Sequence, residues 1–280
     1  MPKTFELNCN GKLWSLHSPV VMGIINATPD SFYTRDQFKS QEDKERLAAE
    51  LVEAGATILD IGGMSTRPGS EEISPEEELR RVLPLIQSIK SVFPQILISI
   101  DTYRSRVAEA AVAAGADMVN DISAGNLDLA MPGVVAALGV PFIAMHMQGT
   151  PRTMQQQPFY NEVATEVLDF FIKKIAELEH AGIRDIIIDP GFGFGKTLEH
   201  NYQLLGKLHT FSMLNKPILA GISRKSMLYR LLQITPESAL NATTAAHMLL
   251  LGQGVSILRV HDVKEAMECV KLFEFYQRYL

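Results

Sequence analysis

Short apolar runs alternate with longer amphipathic segments along most of this chain. Eight runs stand out, at residues 20–25, 57–61, 96–100, 118–119, 142–145, 186–188, 218–222 and 255–260. Most are continuous rather than alternating, which predicts parallel strands covered on both faces. Between them, residues 42–54 place Leu47, Leu51 and Ala54 on one helical face. Residues 75–92 predict a second helix, with Ser74 as N-cap, Pro75 at N1 and Glu77 at N3. Residues 104–114, 163–181 and 239–251 predict three more, each ending near a glycine. Repeated strand–helix units imply right-handed crossovers and a parallel sheet.

Ahead of these units, Phe5-Glu6-Leu7 and Leu13-Trp14-Ser15-Leu16 flank Asn10-Gly11, a dipeptide suited to a two-residue hairpin turn. Eight units in a chain of 280 residues predict a (β/α)8 TIM barrel with a short N-terminal β-hairpin (residues 1–17). An open doubly wound sheet is the rival architecture. No Pro/Gly/Ser-rich linker divides the chain, so one domain over 1–280 is expected. The formal net charge of -6 argues against a dedicated nucleic-acid binder. The only two cysteines, Cys9 and Cys269, form no disulfide framework and no thiolate metal site. The N-terminal segment lacks the apolar stretch of a signal peptide, and no run suits a membrane span. A cytoplasmic protein without membrane partners is expected.

The chemistry sits where the apolar runs end. In chain order these positions are Asn26, Asp60, Asp101, Asn120 with Asp121, His146, Asp189, Ser223-Arg224-Lys225, and Arg259 with His261. One polar residue after a strand is usually a cap or turn. Eight such endings of one polarity converge, in a barrel, on the C-terminal face that carries active sites. Asp101, Asn120 and Asp189 could read a flat heterocycle with amide-like and guanidine-like edges, since a carboxylate accepts two parallel N–H bonds. Arg259, His261 and Lys225 suit an anionic group such as a phosphate. Ser223 is expected to begin a helix whose N–H groups would favour a carboxylate.

Other features read more blandly. Gly191-Phe192-Gly193-Phe194-Gly195-Lys196-Thr197 mimics a phosphate loop, but Pro190 stands where a Walker A glycine belongs. It is expected to line the substrate instead. His17, His180, His200 and His209 read as surface or loop residues, and His247 as a packed one. No cluster of His, Asp and Glu has metal-ligand spacing.

Taken together, MGIINATPDSF, DIGGMSTRPG, SIDTYR, VNDISAG, DPGFGFGKTLEHN, AGISRK and RVHDV strongly resemble the dihydropteroate synthases, the pterin-binding barrel enzymes of folate biosynthesis. The resemblance implies two small-molecule substrates, 6-hydroxymethyl-7,8-dihydropterin pyrophosphate and 4-aminobenzoate, with Mg2+ and a homodimer. It implies Asn26 as the Mg2+ position, and Asp101, Asn120, Met145, Asp189 and Lys225 as pterin contacts above Asp60. Arg259 and His261 match pyrophosphate contacts. Thr66, Arg67, Pro68, Phe194 and Ser223 match those around the aminobenzoate. The implied reaction loses pyrophosphate to give a pterin-methylene cation, stabilised by Asp101, which the amine then attacks. Asp101, Lys225, Arg259 and His261 are the implied catalytic group, and sulfonamide sensitivity is expected.

One departure concerns the first loop. Family members commonly carry Asp-Gly-Gly after the SF of that loop, whereas here Thr34 replaces the aspartate and Asp36 follows two residues later. The alternatives are a pterin-binding methyltransferase acting with a corrinoid partner, and a catalytically degenerate pterin-binding subunit. The SRK and RVHD elements count against the first, and only the altered loop favours the second.

Overall fold

The structure, a computed structural model, describes residues 3–27, 40–65 and 72–279. The first loop, with Thr34 and Asp36, and Thr66, Arg67 and Pro68 of the second therefore lie outside the described residues. At the N-terminus, β1 (Phe5–Cys9) and β2 (Lys12–Leu16) pair antiparallel with Cys9 opposite Lys12. That register leaves Asn10 and Gly11 as the turn, with φ of 50° and 82°. Two positive values match the twist of the flanking strands.

Among the described residues the main sheet has eight strands: β3 (Val20–Asn26), β4 (Ile58–Gly62), β5 (Leu97–Asp101), β6 (Met118–Asp121), β7 (Phe142–Met145), β8 (Ile186–Asp189), β9 (Leu219–Ala220) and β10 (Ile257–Val260). All pairings are parallel, in the order β8-β7-β6-β5-β4-β3-β10-β9. A parallel bridge between Ile188 and Ile218 joins the two ends. There the Ile188 N–H donates to Pro217 O at 3.0 Å. The sheet is closed, a (β/α)8 barrel, and the open alternative falls.

The helices outside the sheet are α1 (Gln41–Glu53), α2 (Pro75–Val92), α3 (Ser105–Ala113), α4 (Met131–Leu138), α5 (Val163–His180), α6 (Leu198–Gly206), α7 (Ser226–Tyr229), α8 (Leu240–Gly252) and α9 (Val263–Gln277). As expected, Ser74 caps α2 by accepting the Glu77 N–H. The Glu77 carboxylate does not complete a reciprocal box; it accepts from Arg80 and Arg81 instead, at 2.7 Å each. Helices α4 and α6 escaped the sequence pattern for physical reasons. Pro132 and Gly133 occupy the first turn of α4, where propensity is poor. The nine-residue α6 is capped by Thr197 with His200, rather than Glu, at the reciprocal position.

Alternation along each strand sorts its side chains into two apolar clusters. Val21, Leu59, Ile98, Val119 and Ala144 face outward and pack beneath the helices. Met22, Ile58, Leu97, Met118, Ile143, Ile187, Leu219 and Ile257, one from each strand, meet inside the barrel. Leu7, Cys9 and Leu16 of the hairpin join that inner cluster. The hairpin is therefore a plug at the N-terminal end of the strands. Asn8 Nδ2 donates to Gly139 O (3.0 Å), Asn10 Nδ2 to Ala116 O (3.1 Å), and Asn8 N–H to Asp185 Oδ2 (2.7 Å), fastening it to the loops there. Each large side chain so buried contributes roughly 1.5–3 kcal/mol. Substrate access is thereby confined to the other end.

Candidate active site

Two residues past each member of the inner cluster, the same face presents Ile24, Asp60, Ser99, Asn120, Met145, Asp189, Gly221 and Arg259. A further step of two reaches Asn26, Asp101, Ser223 and His261. The lower tier of the barrel is thus apolar, and the next two tiers are mostly polar. Asn26, Asp60, Asp101, Asn120, Met145, Asp189, Ser223, Arg259 and His261 come together at the C-terminal mouth because period-two alternation aims them inward. Met145 is buried and apolar, lying against Gly191.

The acid side of the mouth is organised by one cation. Arg259 Nε donates to Asp60 Oδ2 at 2.6 Å, and Nη2 donates to Asp101 Oδ2 at 2.7 Å. Asn120 Nδ2 donates to Asp60 Oδ2 at 3.2 Å. Arg259, expected on an anion rim, straddles two carboxylates on the floor. A buried acid, Asp60, and a half-buried one, Asp101, sharing one guanidinium explain the electrostatics. Burial and the neighbouring Asp60 push Asp101 up to about 7, against the pull of Arg259. Burial opposes the charge on Arg259, but Asp60 and Asp101 outweigh it and raise its pKa. The Ser99 hydroxyl is buried on this face without a hydrogen-bond partner among the described residues.

Farther round the barrel, Asp189 Oδ1 accepts the Gly191 N–H at 2.8 Å. Burial raises the Asp189 pKa, opposed by Lys225 and that N–H. Lys225 Nζ donates to Phe192 O at 2.5 Å and lies 4.7 Å from the centroid of the Phe194 ring. Burial pulls Lys225 down to about 8; Asp189 opposes the shift and Arg259 adds to it. The glycine-rich segment after β8 is therefore folded around a lysine at the mouth and is not a nucleotide loop.

Three expectations need correction. Ser223 does not begin a helix; α7 starts at Ser226, has four residues, and has Lys225 at its N-cap. The Ser223 hydroxyl instead accepts the His261 N–H and lies 3.3 Å from His261 Nδ1. Asp121 and His146 do not join the ring, because each follows an inward-facing residue by one and so faces away. Asp121 accepts from Ser123 N, Ser123 Oγ and Gly125 N as a turn residue. The His146 ring packs edge-on against Phe170, with centroids 4.9 Å apart. His247 is buried, as expected of a packed histidine, and burial lowers it to about 4.

Sequence reasoning named two supporting groups without giving either a role of its own. Arg224, between Ser223 and Lys225, turns outward with φ 52°. It forms a two-pronged pair with Asp262, at 2.8 Å for both Nε and Nη2. That pair ties the loop carrying Lys225 to the loop carrying His261. Lys196 is buried within the glycine-rich segment, 3.0 Å from His146 Nδ1. The visible signal was a basic residue in a loop with no phosphate role.

A closed parallel barrel with carboxylate, amide and cationic side chains gathered in its C-terminal mouth defines a small-molecule enzyme of the (β/α)8 class. The family model for pterin binding enzymes matches residues 22–261. The dihydropteroate synthase of Escherichia coli K12 is 44% identical over 274 residues, covering 96% of this chain and 95% of its own. The Yersinia pestis dihydropteroate synthase, solved in complex with a sulfonamide drug, superposes with a TM-score of 0.93 at 38% identity, covering 99% of this chain and 100% of its own. The Xanthomonas albilineans enzyme, solved with 4-aminobenzoic acid, gives 0.91 at 40% identity, covering 98% and 99%. This chain belongs to the pterin binding enzymes and, within them, to the dihydropteroate synthase family.

Proposed function

We propose that the protein condenses 6-hydroxymethyl-7,8-dihydropterin pyrophosphate with 4-aminobenzoate, forming 7,8-dihydropteroate and pyrophosphate for folate synthesis. The observation that carries this reading is the mouth itself. Asp60, Asp101 and Asn120 lie beside Arg259, while Lys225 lies over the Phe194 ring and feels the Asp189 charge. Carboxylates and an amide suit the N–H and carbonyl edges of a pterin. The guanidinium has five N–H donors, more than the two carboxylates use, so Arg259 can hold the acids and still meet a phosphate oxygen.

In this reading the methylene C–O bond breaks and pyrophosphate leaves. Arg259 and His261 bear its charge, with Ser223 supporting the His261 ring. The electron-poor methylene is delocalised into the pterin ring, and the Asp101 carboxylate stabilises it electrostatically. The amine nitrogen then forms the new C–N bond and gives up one proton to the released pyrophosphate. Phe194, with Thr66, Arg67 and Pro68 of the second loop, surrounds the aminobenzoate. Ser223 accepts the His261 N–H and keeps its own O–H to donate, so the hydroxyl assigned to the aminobenzoate carboxylate is Ser223, with Ser226 at the start of α7 close by in the chain.

Mg2+ belongs to the same reading. Among the described residues no group of three His, Cys, Asp or Glu side chains could hold a metal. Asn26 closes β3 on the inward face with a hard amide oxygen. That donor set fits Mg2+, which binds through few protein oxygens and keeps water and phosphate ligands. When bound, the ion would neutralise pyrophosphate charge. We further assign a homodimer, supported by exposed Leu249 on α8 and Leu272, Phe275 and Tyr276 on α9. Among the described residues no helix is long and apolar enough to cross a membrane, and the enzyme is assigned to the cytoplasm.

The test is to mix the protein with both substrates and Mg2+ and follow pyrophosphate release and dihydropteroate formation together. Turnover to both products is expected. Pterin binding without product would contradict the proposal and favour a degenerate pterin-binding subunit. Methyl transfer from methyl-tetrahydrofolate to a corrinoid would favour the methyltransferase.

A further inference from the structure

Five consecutive carbonyls after β8 each accept a hydrogen bond from a side chain. Lys196 Nζ donates to Gly191 O (2.9 Å) and Phe194 O (3.1 Å), Lys225 Nζ to Phe192 O (2.5 Å), Gln155 Nε2 to Gly193 O (2.7 Å), and Tyr160 Oη to Gly195 O (2.9 Å). An ammonium has three N–H donors, and the third of Lys196 faces His146 Nδ1 at 3.0 Å. Lys196, His146 and Tyr160 are all buried. The donors come from four places: the segment after β7 (Gln155), the approach to α5 (Tyr160), the end of the loop itself (Lys196) and the loop after β9 (Lys225).

We infer that Lys196, assisted by Tyr160 and Gln155, is a positioning residue that holds loop 191–195 in the one shape that aligns Phe194 for the second substrate. This rests on the dihydropteroate synthase reading above. A loop with three glycines has many conformations to lose, and these donors select one. Gly191, Gly193 and Gly195 have φ of 69°, 82° and 62°. A Cβ at Gly191 would overlap His146 O, and one at Gly195 would lie 2.7 Å from Gln148 O. Loop 191–195 and the 146–148 segment are thus pressed together. In that arrangement Phe192 O holds the Lys225 ammonium beside the Phe194 ring.

Lys196 serves here as an internal fastener. Its ammonium is saturated by two loop carbonyls and an imidazole, with no hydrogen bond left for a ligand. Burial pulls it down to about 7 and Asp189 opposes the shift; burial and Lys196 together lower His146 to about 2. A neutral imidazole presenting Nδ1 as acceptor agrees with the geometry. Removing the Lys196 donors would leave Phe194 O and the imidazole unpaired, leave Gly191 O with only the Phe194 N–H, and release the loop.

The experiment compares wild type with Lys196→Met, which keeps the stem and removes the ammonium. Steady-state kinetics give KM for 4-aminobenzoate and kcat, calorimetry gives pterin pyrophosphate affinity without aminobenzoate, and circular dichroism checks folding. The expected result is a KM for 4-aminobenzoate raised at least 10-fold and a lowered kcat, with pterin affinity within 3-fold of wild type. An unchanged KM, or an equal loss for both substrates, overturns the inference. Should Lys196→Met not fold, the double variant Tyr160→Phe/Gln155→Leu decides it, with a 3- to 10-fold rise in the same KM expected. A KM within 2-fold of wild type in that variant rejects the positioning role. Wild type run alongside separates the two readings, since absence of product there removes the proposed reaction itself.

Discussion

The two ends of the barrel interior are built by the same strands pointing the same way, yet they do opposite things. At the N-terminal end, Met22, Ile58, Leu97, Met118, Ile143, Ile187, Leu219 and Ile257 close over the hairpin residues Leu7, Cys9 and Leu16. Two and four residues later, the same face carries Asp60, Asp101, Asn120, Asp189 and Arg259. The lower end holds the fold together by excluding water. The upper end gathers buried charge, which costs desolvation and is tolerated because Arg259 and Lys225 offset the acids. Stability and chemistry are thus stacked along single strands, only about 7 Å per two residues apart.

Changes at the two ends should separate cleanly. Ile143→Ala should destabilise the fold by ~2–5 kcal/mol through cavity formation, leaving both KM values within 2-fold. Denaturant unfolding alongside kinetics checks this, and a large KM change would mean the ends are mechanically coupled. Lys225→Ala should lower kcat/KM by at least ~10-fold, since a charge-assisted contact is lost. Its unfolding midpoint should move less than that of Ile143→Ala, and unchanged turnover would show that the cation is misassigned.

The pH dependence of pterin pyrophosphate binding sharpens the description of the mouth. Burial and Asp60 hold Asp101 at about 7, and a carboxyl group that accepts two parallel N–H bonds from the pterin must be ionised. Affinity should therefore rise as pH rises through about 7. Burial places Lys225 at about 8, so affinity should fall again as the ammonium is lost above that value. Calorimetry across pH 5–9 reads both limbs, and Asp101→Asn should remove the lower one. A flat profile would mean that neither group titrates against the ligand. The smallest effect belongs to the plug. Gly11→Ala should cost about 1 kcal/mol because Gly11 has positive φ, with activity unchanged.

Much of this was legible in the chain, and the misses have physical causes. Apolar runs and turn chemistry located the hairpin and all eight strands, since β5 reads Leu-Ile-Ser-Ile-Asp whatever surrounds it. Counting polar residues after each run found Asp101, Asn120, Asp189 and Arg259. It also enrolled Asp121 and His146, because the run ends do not reveal which face a residue takes. Register supplies that: Asp121 follows the inward Asn120, and His146 follows the inward Met145. The pairing of Arg259 with Asp60 and Asp101 spans 199 and 158 positions. The Lys196 fastener needs residues 146, 155 and 160 beside the loop. Neither leaves a periodic trace in sequence.

The most direct test uses one strand. Ile257 and Arg259 both point inward from β10, two residues apart, on either side of the division drawn above. Ile257→Val and Arg259→Lys should be measured together for kcat/KM with both substrates and for thermal unfolding midpoint. The account predicts that Ile257→Val lowers the midpoint while kcat/KM stays within 2-fold. Arg259→Lys keeps the charge but loses the fork, so it should lose at least ~10-fold in kcat/KM. Wild-type turnover in Arg259→Lys, with a large loss in a folded Ile257→Val, would contradict it.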